Sequence, residues 1–137
     1  MASIAVNAEL RLGVEKMFRI RKEALEFILG VSRTVYPREF IGLLRGEDNL
    51  ITEVIVTPSS TYGEGFATYQ EHLLPIDHTI VGSVHSHPGR NPNPSQGDLH
   101  AFGKKGGVNL IVIYPFQSIE DIYAYDNKGI PVDIQPV

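Results

Sequence analysis

The chain contains no cysteine. That excludes a disulfide scaffold, a thiol nucleophile and every zinc motif built on Cys. A cysteine-free chain fits a cytoplasmic setting, where disulfides are not used. There is no apolar run near the ~20 residues of a membrane-spanning helix. The start shows no basic segment followed by an apolar one, because Glu9, Arg11, Glu15 and Lys16 interrupt it, so no signal peptide is expected. There is no run of Lys or Arg either, and the net charge is −4, which argues against nucleic acid as a partner. The H-E-x-x-H helix motif of thermolysin-like peptidases is also missing. A zinc deaminase would need Cys ligands that the chain lacks.

What remains is an ordinary globular composition. The 137 residues are 42% hydrophobic and 20% charged, enough for one domain with one core. Met17 opens the expected domain, 17–137. Residues 1–16 form an N-terminal extension whose Leu10-Arg11-Leu12 alternation hints at a strand.

Periodicity predicts the elements. Phe18 to Arg21 alternates as a short strand. From Lys22 to Tyr36, Leu25, Ile28, Leu29, Val31 and Val35 recur at helical steps, and Pro37 ends the helix. Glu39 to Leu44 and Leu50 to Thr57 read as a hairpin around the turn residues Glu47-Asp48-Asn49. Further strands are expected at Phe66 to Leu74 and Thr79 to His87. A Pro-rich loop (Pro88 to Pro94) and a helix (Ser95 to Lys105) come next. Val108 to Tyr114 is almost wholly apolar and should be central in a sheet. Ile119 to Tyr125 and Ile130 to Ile134 read as a terminal hairpin around Asp126-Asn127-Lys128-Gly129. The expected class is α/β, a mixed β-sheet flanked by helices.

His85 and His87 stand two apart on a predicted strand, so both side chains point the same way. Their Cα atoms lie roughly 6.5 Å apart on that geometry, and the two imidazoles can converge on one ion at about 2.0–2.1 Å. Ser86 faces the other side. The third ligand is assigned to Asp98, in the first turn of the helix that the Pro-rich loop folds back. Two His and one carboxylate leave a zinc ion a fourth position for water, the catalytic pattern. Such a water has its pKa lowered toward ~7 and becomes a nucleophile. Glu39, at the start of a buried strand, is the candidate general base, although its position in the hairpin does not by itself bring it to His85. Ser95 and Asp98 also fit a bland pattern, S-x-x-D, in which Ser95 caps the helix and Asp98 favours its positive end. His100, two residues after Asp98 on the helix, should point away from the metal.

His85-Ser86-His87, then Ser95-x-x-Asp98 after seven residues, with Glu39 upstream, resembles the JAMM (MPN+) zinc metalloprotease motif. Pro37-Arg38-Glu39-Phe40 and Gly82-Ser83-Val84 resemble the family's surrounding text, and the likeness spans roughly 17–137. The resemblance implies a cytidine-deaminase-like MPN domain with one Zn2+ per chain, held by His85, His87 and Asp98, and a catalytic water. It implies that Glu39 moves the proton and that Ser95 steadies the oxyanion. The substrates it implies are ubiquitin-like modifier proteins and their lysine-linked conjugates, cut after a Gly-Gly tail. The compact length is closer to archaeal and bacterial members than to eukaryotic deubiquitinases. Tyr62 to Leu74, with Gly63, Gly65 and Phe66, is the expected wall of a groove for that tail. Pairing with a second MPN domain, as a homodimer, is compatible with the family. Two other functions fit the same text: a processing peptidase for a sulfur-carrier protein, and a non-catalytic MPN scaffold, although scaffolds of that kind lack the ligands found here.

Overall fold

The computed structural model describes residues 17–56, 78–105 and 107–137. The alternating Leu10 to Leu12, the expected strand Phe66 to Leu74 and the expected groove wall Tyr62 to Leu74 lie outside them. In chain order the elements begin with β1 (Phe18–Ile20), α1 (Lys22–Val35), β2 (Ile41–Glu47), β3 (Leu50–Val56) and β4 (Ile80–His87). They continue with α2 (Gln96–Lys105), β5 (Val108–Ile113), a 3-10 turn (Ile119–Asp121), β6 (Ile122–Tyr125), β7 (Pro131–Val132) and β8 (Ile134–Pro136).

The eight described strands form one mixed sheet in the order β7-β6-β5-β4-β2-β3-β1-β8. β4 lies inside it, antiparallel to β2 and parallel to β5. All six residues of β5 are buried, as its apolar text predicts. The β4–β5 contact is unusually close at Gly82, where an added Cβ would sit 1.5 Å from the Val108 carbonyl oxygen. Only glycine permits that approach.

The two faces of the sheet are covered differently. Ala24, Leu25, Ile28 and Leu29 form the inner stripe of α1 and pack with Leu44, Ile51, Val84, Leu110 and Val112. Burying a side chain such as Ile28 completely is worth about 1.5–3 kcal/mol. On the opposite face Phe102 of α2 packs with Ile111, Ile113 and Tyr125. The β4–β5 register sets His85 beside Ile111 and His87 beside Ile113, so both histidines belong to the α2 face.

Three details depart from the sequence expectation. The hairpin turn is the two residues Asp48 and Asn49, both at positive φ (53° and 64°), between the paired Glu47 and Leu50. Asp and Asn tolerate that left-handed geometry, which suits a tight hairpin. Ile119 to Asp121 is a 3-10 turn rather than strand, because Ser118 caps it by accepting the Glu120 N–H. The final strand is split: β7 pairs with β6, whereas β8 pairs in parallel with β1 at the other end of the sheet. Only Asp133 separates the two. Since one residue spans only a few ångströms, the sheet must curl until its ends meet.

Candidate metal centre

Three elements meet at the site. β4 supplies His85 and His87, and their shared face follows from strand alternation. The loop 88–94 returns the chain, and α2 begins beside the strand end. Ser95 caps α2: its Oγ accepts the Asp98 N–H at 3.0 Å, and Asp98 Oδ2 accepts the Ser95 N–H at 2.8 Å. This reciprocal pair is a capping box with Asp in the third helical position. The S-x-x-D pattern is therefore a real cap, and the same cap aims the Asp98 carboxylate.

Asp98 Oδ1 lies 3.1 Å from His85 Nε2 and Oδ2 lies 3.3 Å from His87 Nε2. The two Nε2 atoms are 3.2 Å apart. Donors bound tetrahedrally at about 2.0–2.1 Å from one ion sit roughly 3.3–3.4 Å from each other. The two imidazole nitrogens are spaced like two corners of such a tetrahedron, and the carboxylate turns one oxygen toward each of them. These are the residues among those described that could hold a metal ion.

The tautomer fits as well. His87 Nδ1 is 2.9 Å from the Asn91 carbonyl oxygen, which can only accept. Nδ1 therefore carries the hydrogen, and the Nε2 lone pair of a neutral His87 faces the other two donors.

Electrostatics reinforce the pairing. The hydrogen bond to Asp98 raises His87 above its usual value against the opposing effect of burial, with help from the Asn91 carbonyl and the charges of Asp98 and Glu39. Burial by itself would raise Asp98, but hydrogen bonds from His85 and His87, the His85 charge and the Ser95 N–H outweigh it. The carboxyl is held far below the usual carboxylate range.

Glu39 reaches the same place by register. Ile41 lies opposite His85. Beyond it the Ser86 N–H donates to the Phe40 carbonyl at 2.9 Å, and the Phe40 N–H donates to Ser86 Oγ at 2.8 Å. Glu39 directly precedes Phe40 at this end of the strand pair and is exposed to solvent, and its charge is one of those that raise His87. His78 and His100 are exposed and stand outside the cluster. Sequence reasoning missed the supporting residues Ser86, Asn91 and Tyr125. Asn91 and Tyr125 act through partners far away in sequence or through backbone atoms, which leave no motif.

Comparison with known proteins agrees with this geometry. The family model for prokaryotic homologs of the JAB domain matches residues 21–126. A probable metalloprotease from Haloferax volcanii is 35% identical over 130 residues, covering 83% of this chain and 80% of its own length. A solved JAB1/MPN domain protein from Archaeoglobus fulgidus is 32% identical, with a TM-score of 0.70 over 88% of this chain and 99% of that one. A structure described as a JAMM metalloprotease-like zinc site in the proteasome and signalosome is 29% identical, with a TM-score of 0.69 over 88% and 98%. With the family model matching most of the chain, and with that relative and these folds beside it, the chain belongs to the prokaryotic branch of the JAB family, whose members are JAMM-like metalloproteases.

Proposed function

We propose that this chain is a zinc-dependent isopeptidase that removes ubiquitin-like modifiers with Gly-Gly tails from lysines of target proteins. The observation that carries the reading is the convergence of His85, His87 and Asp98, with Glu39 next to Phe40, which is tied to Ser86 between the two histidines. Zinc suits two imidazoles and one carboxylate, and three protein ligands leave a position open for chemistry. When bound there, zinc lowers the pKa of a water and polarises a carbonyl.

The chain's own residues supply the rest. Glu39 takes a proton from the attacking water and returns it to the leaving amine. Ser95 Oγ accepts the Asp98 N–H with a lone pair, which leaves its own hydrogen free to donate to the developing oxyanion. Cap and oxyanion donor are compatible roles for one hydroxyl. Support for the substrate class comes from the JAMM-type motif of Glu39, His85, His87, Ser95 and Asp98.

The test is to incubate zinc-loaded protein with a lysine-linked ubiquitin-like conjugate and, separately, with a linear C-terminal extension of the same modifier. Mass spectrometry then locates the cut. Cleavage of the lysine-linked conjugate after Gly-Gly is expected. Preference for the linear extension would replace this reading with that of a processing peptidase. Glu39→Gln should keep its zinc and lose turnover by about 10²-fold or more. Unchanged turnover would remove Glu39 from the mechanism.

A further inference from the structure

The loop 88–94 has no helix or strand of its own, yet its Asn91 carbonyl orients a metal-site imidazole. The loop is held from outside at the Gly89 carbonyl, which accepts the Tyr114 N–H at 3.0 Å, and a second external anchor lies nearer to Asn91. It is found across the sheet. The Tyr125 hydroxyl donates to the carbonyl of Pro92, the next residue after Asn91, at 2.5 Å. Tyr125 sits on β6, opposite Asn109, and is only 5% exposed. Burial pushes its phenol up, with a smaller contribution from Tyr123, so the hydroxyl stays a donor through neutral pH.

The ring of the same residue has a second contact. It stacks on Phe102 with centroids 6.2 Å apart and planes 24° from parallel. Phe102 lies four residues after Asp98 in α2, one turn along the same side of the helix. One buried side chain thus touches both segments that flank the histidines of β4: the loop whose Asn91 carbonyl fixes His87 and the helix that carries Asp98.

We propose that Tyr125 is a positioning residue for the metal centre, holding the His87 imidazole through the Pro92–Asn91 backbone and the Asp98 carboxylate through Phe102. It touches neither metal nor substrate. The proposal rests on the metal reading above, and losing such an outer support typically weakens metal binding about 10- to 100-fold.

The experiment compares the full chain with Tyr125→Phe, which keeps the ring and loses the hydroxyl. Tyr123→Phe is the control, an exposed phenol on the same face. Zinc affinity is read by competition with a chromophoric chelator, ligand geometry by the visible bands of the cobalt-substituted protein, and the His87 Nδ1–H by its resonance in 15N-labelled protein. Tyr125→Phe should weaken zinc about tenfold, shift the cobalt bands and speed exchange of the His87 Nδ1–H, while Tyr123→Phe changes none of these. Phe102→Leu, which keeps the hydroxyl and removes the stacked ring, gives a second arm. It should also weaken zinc and move the cobalt bands, without freeing the His87 Nδ1–H. Wild-type affinity and cobalt spectra in both Tyr125→Phe and Phe102→Leu would overturn the proposal. A wild-type chain that binds no zinc would instead overturn the metal reading itself, and this inference with it.

Discussion

Replacing Ser86 with Ala tests how Glu39 is held. Ser86 and Phe40 are each 1% exposed, and the Ser86 hydroxyl accepts the Phe40 N–H. Alanine fits the space but orphans that buried donor. An unsatisfied buried N–H costs about 1–3 kcal/mol. With an unfolding entropy of about 2.1 cal/mol/K per residue over roughly 120 residues, that corresponds to a fall in Tm of about 4–12 °C. Phe40 adjoins Glu39, so the loosened backbone also misplaces the proposed base. A displacement near 1 Å costs about 10²-fold in rate. The His85–His87–Asp98 triangle does not use Phe40, so zinc content should stay at one per chain. Calorimetry of the metal-free and zinc-loaded variant, with kcat and metal analysis on the same samples, separates these effects. A Tm within about 1 °C of wild type together with unchanged kcat would refute the argument that Ser86 holds Glu39.

The pH dependence follows from the two shifted groups. His87 is raised above 6.5, so its contribution to metal-free stability is full below 6.5 and is lost as pH rises through its folded value. Asp98 is lowered from 3.8, so its contribution is full above 3.8 and is lost as pH falls through its folded value. Together they stabilise the metal-free protein most between pH 3.8 and 6.5. Zinc requires neutral His87, so the zinc-induced rise in Tm should grow from pH 5 to 8, and a flat difference across thermal scans would contradict the assignment. Gly82→Ala should cost stability at the upper end of the about 1–3 kcal/mol typical of overpacking, because the Cβ meets backbone rather than a movable side chain; a denaturant midpoint equal to wild type would disprove it. Ser95→Ala should lose about 1 kcal/mol and Ser95→Gly only a few tenths. Both should lose about 10²-fold in kcat if the hydroxyl donates to the oxyanion, and a glycine variant with full kcat would reduce Ser95 to a cap.

The pairing of His85 with His87 was legible in the sequence because strand alternation is a local property of the chain. The inner face of α1 was legible for the same reason: Leu25, Ile28 and Leu29 are spaced by the helix itself. The S-x-x-D text announced both a cap and a carboxylate at one helix end, since capping involves residues three apart. Longer-range facts had no such local mark. Local rules of the chain were enough to name the side chains that could serve as ligands and to set two of them on one face. Folding was needed to tie Phe40, the neighbour of Glu39, to Ser86 between the two histidines, because that depends on the register of β2 against β4. It alone split the last strand between β6 and β1, since the curl of a sheet belongs to all its strands together. It also gave Tyr125 its reach to Pro92 and Phe102, contacts made across 33 and 23 residues of chain. Local periodicity fixes which face a residue occupies, but what that face meets is set by packing.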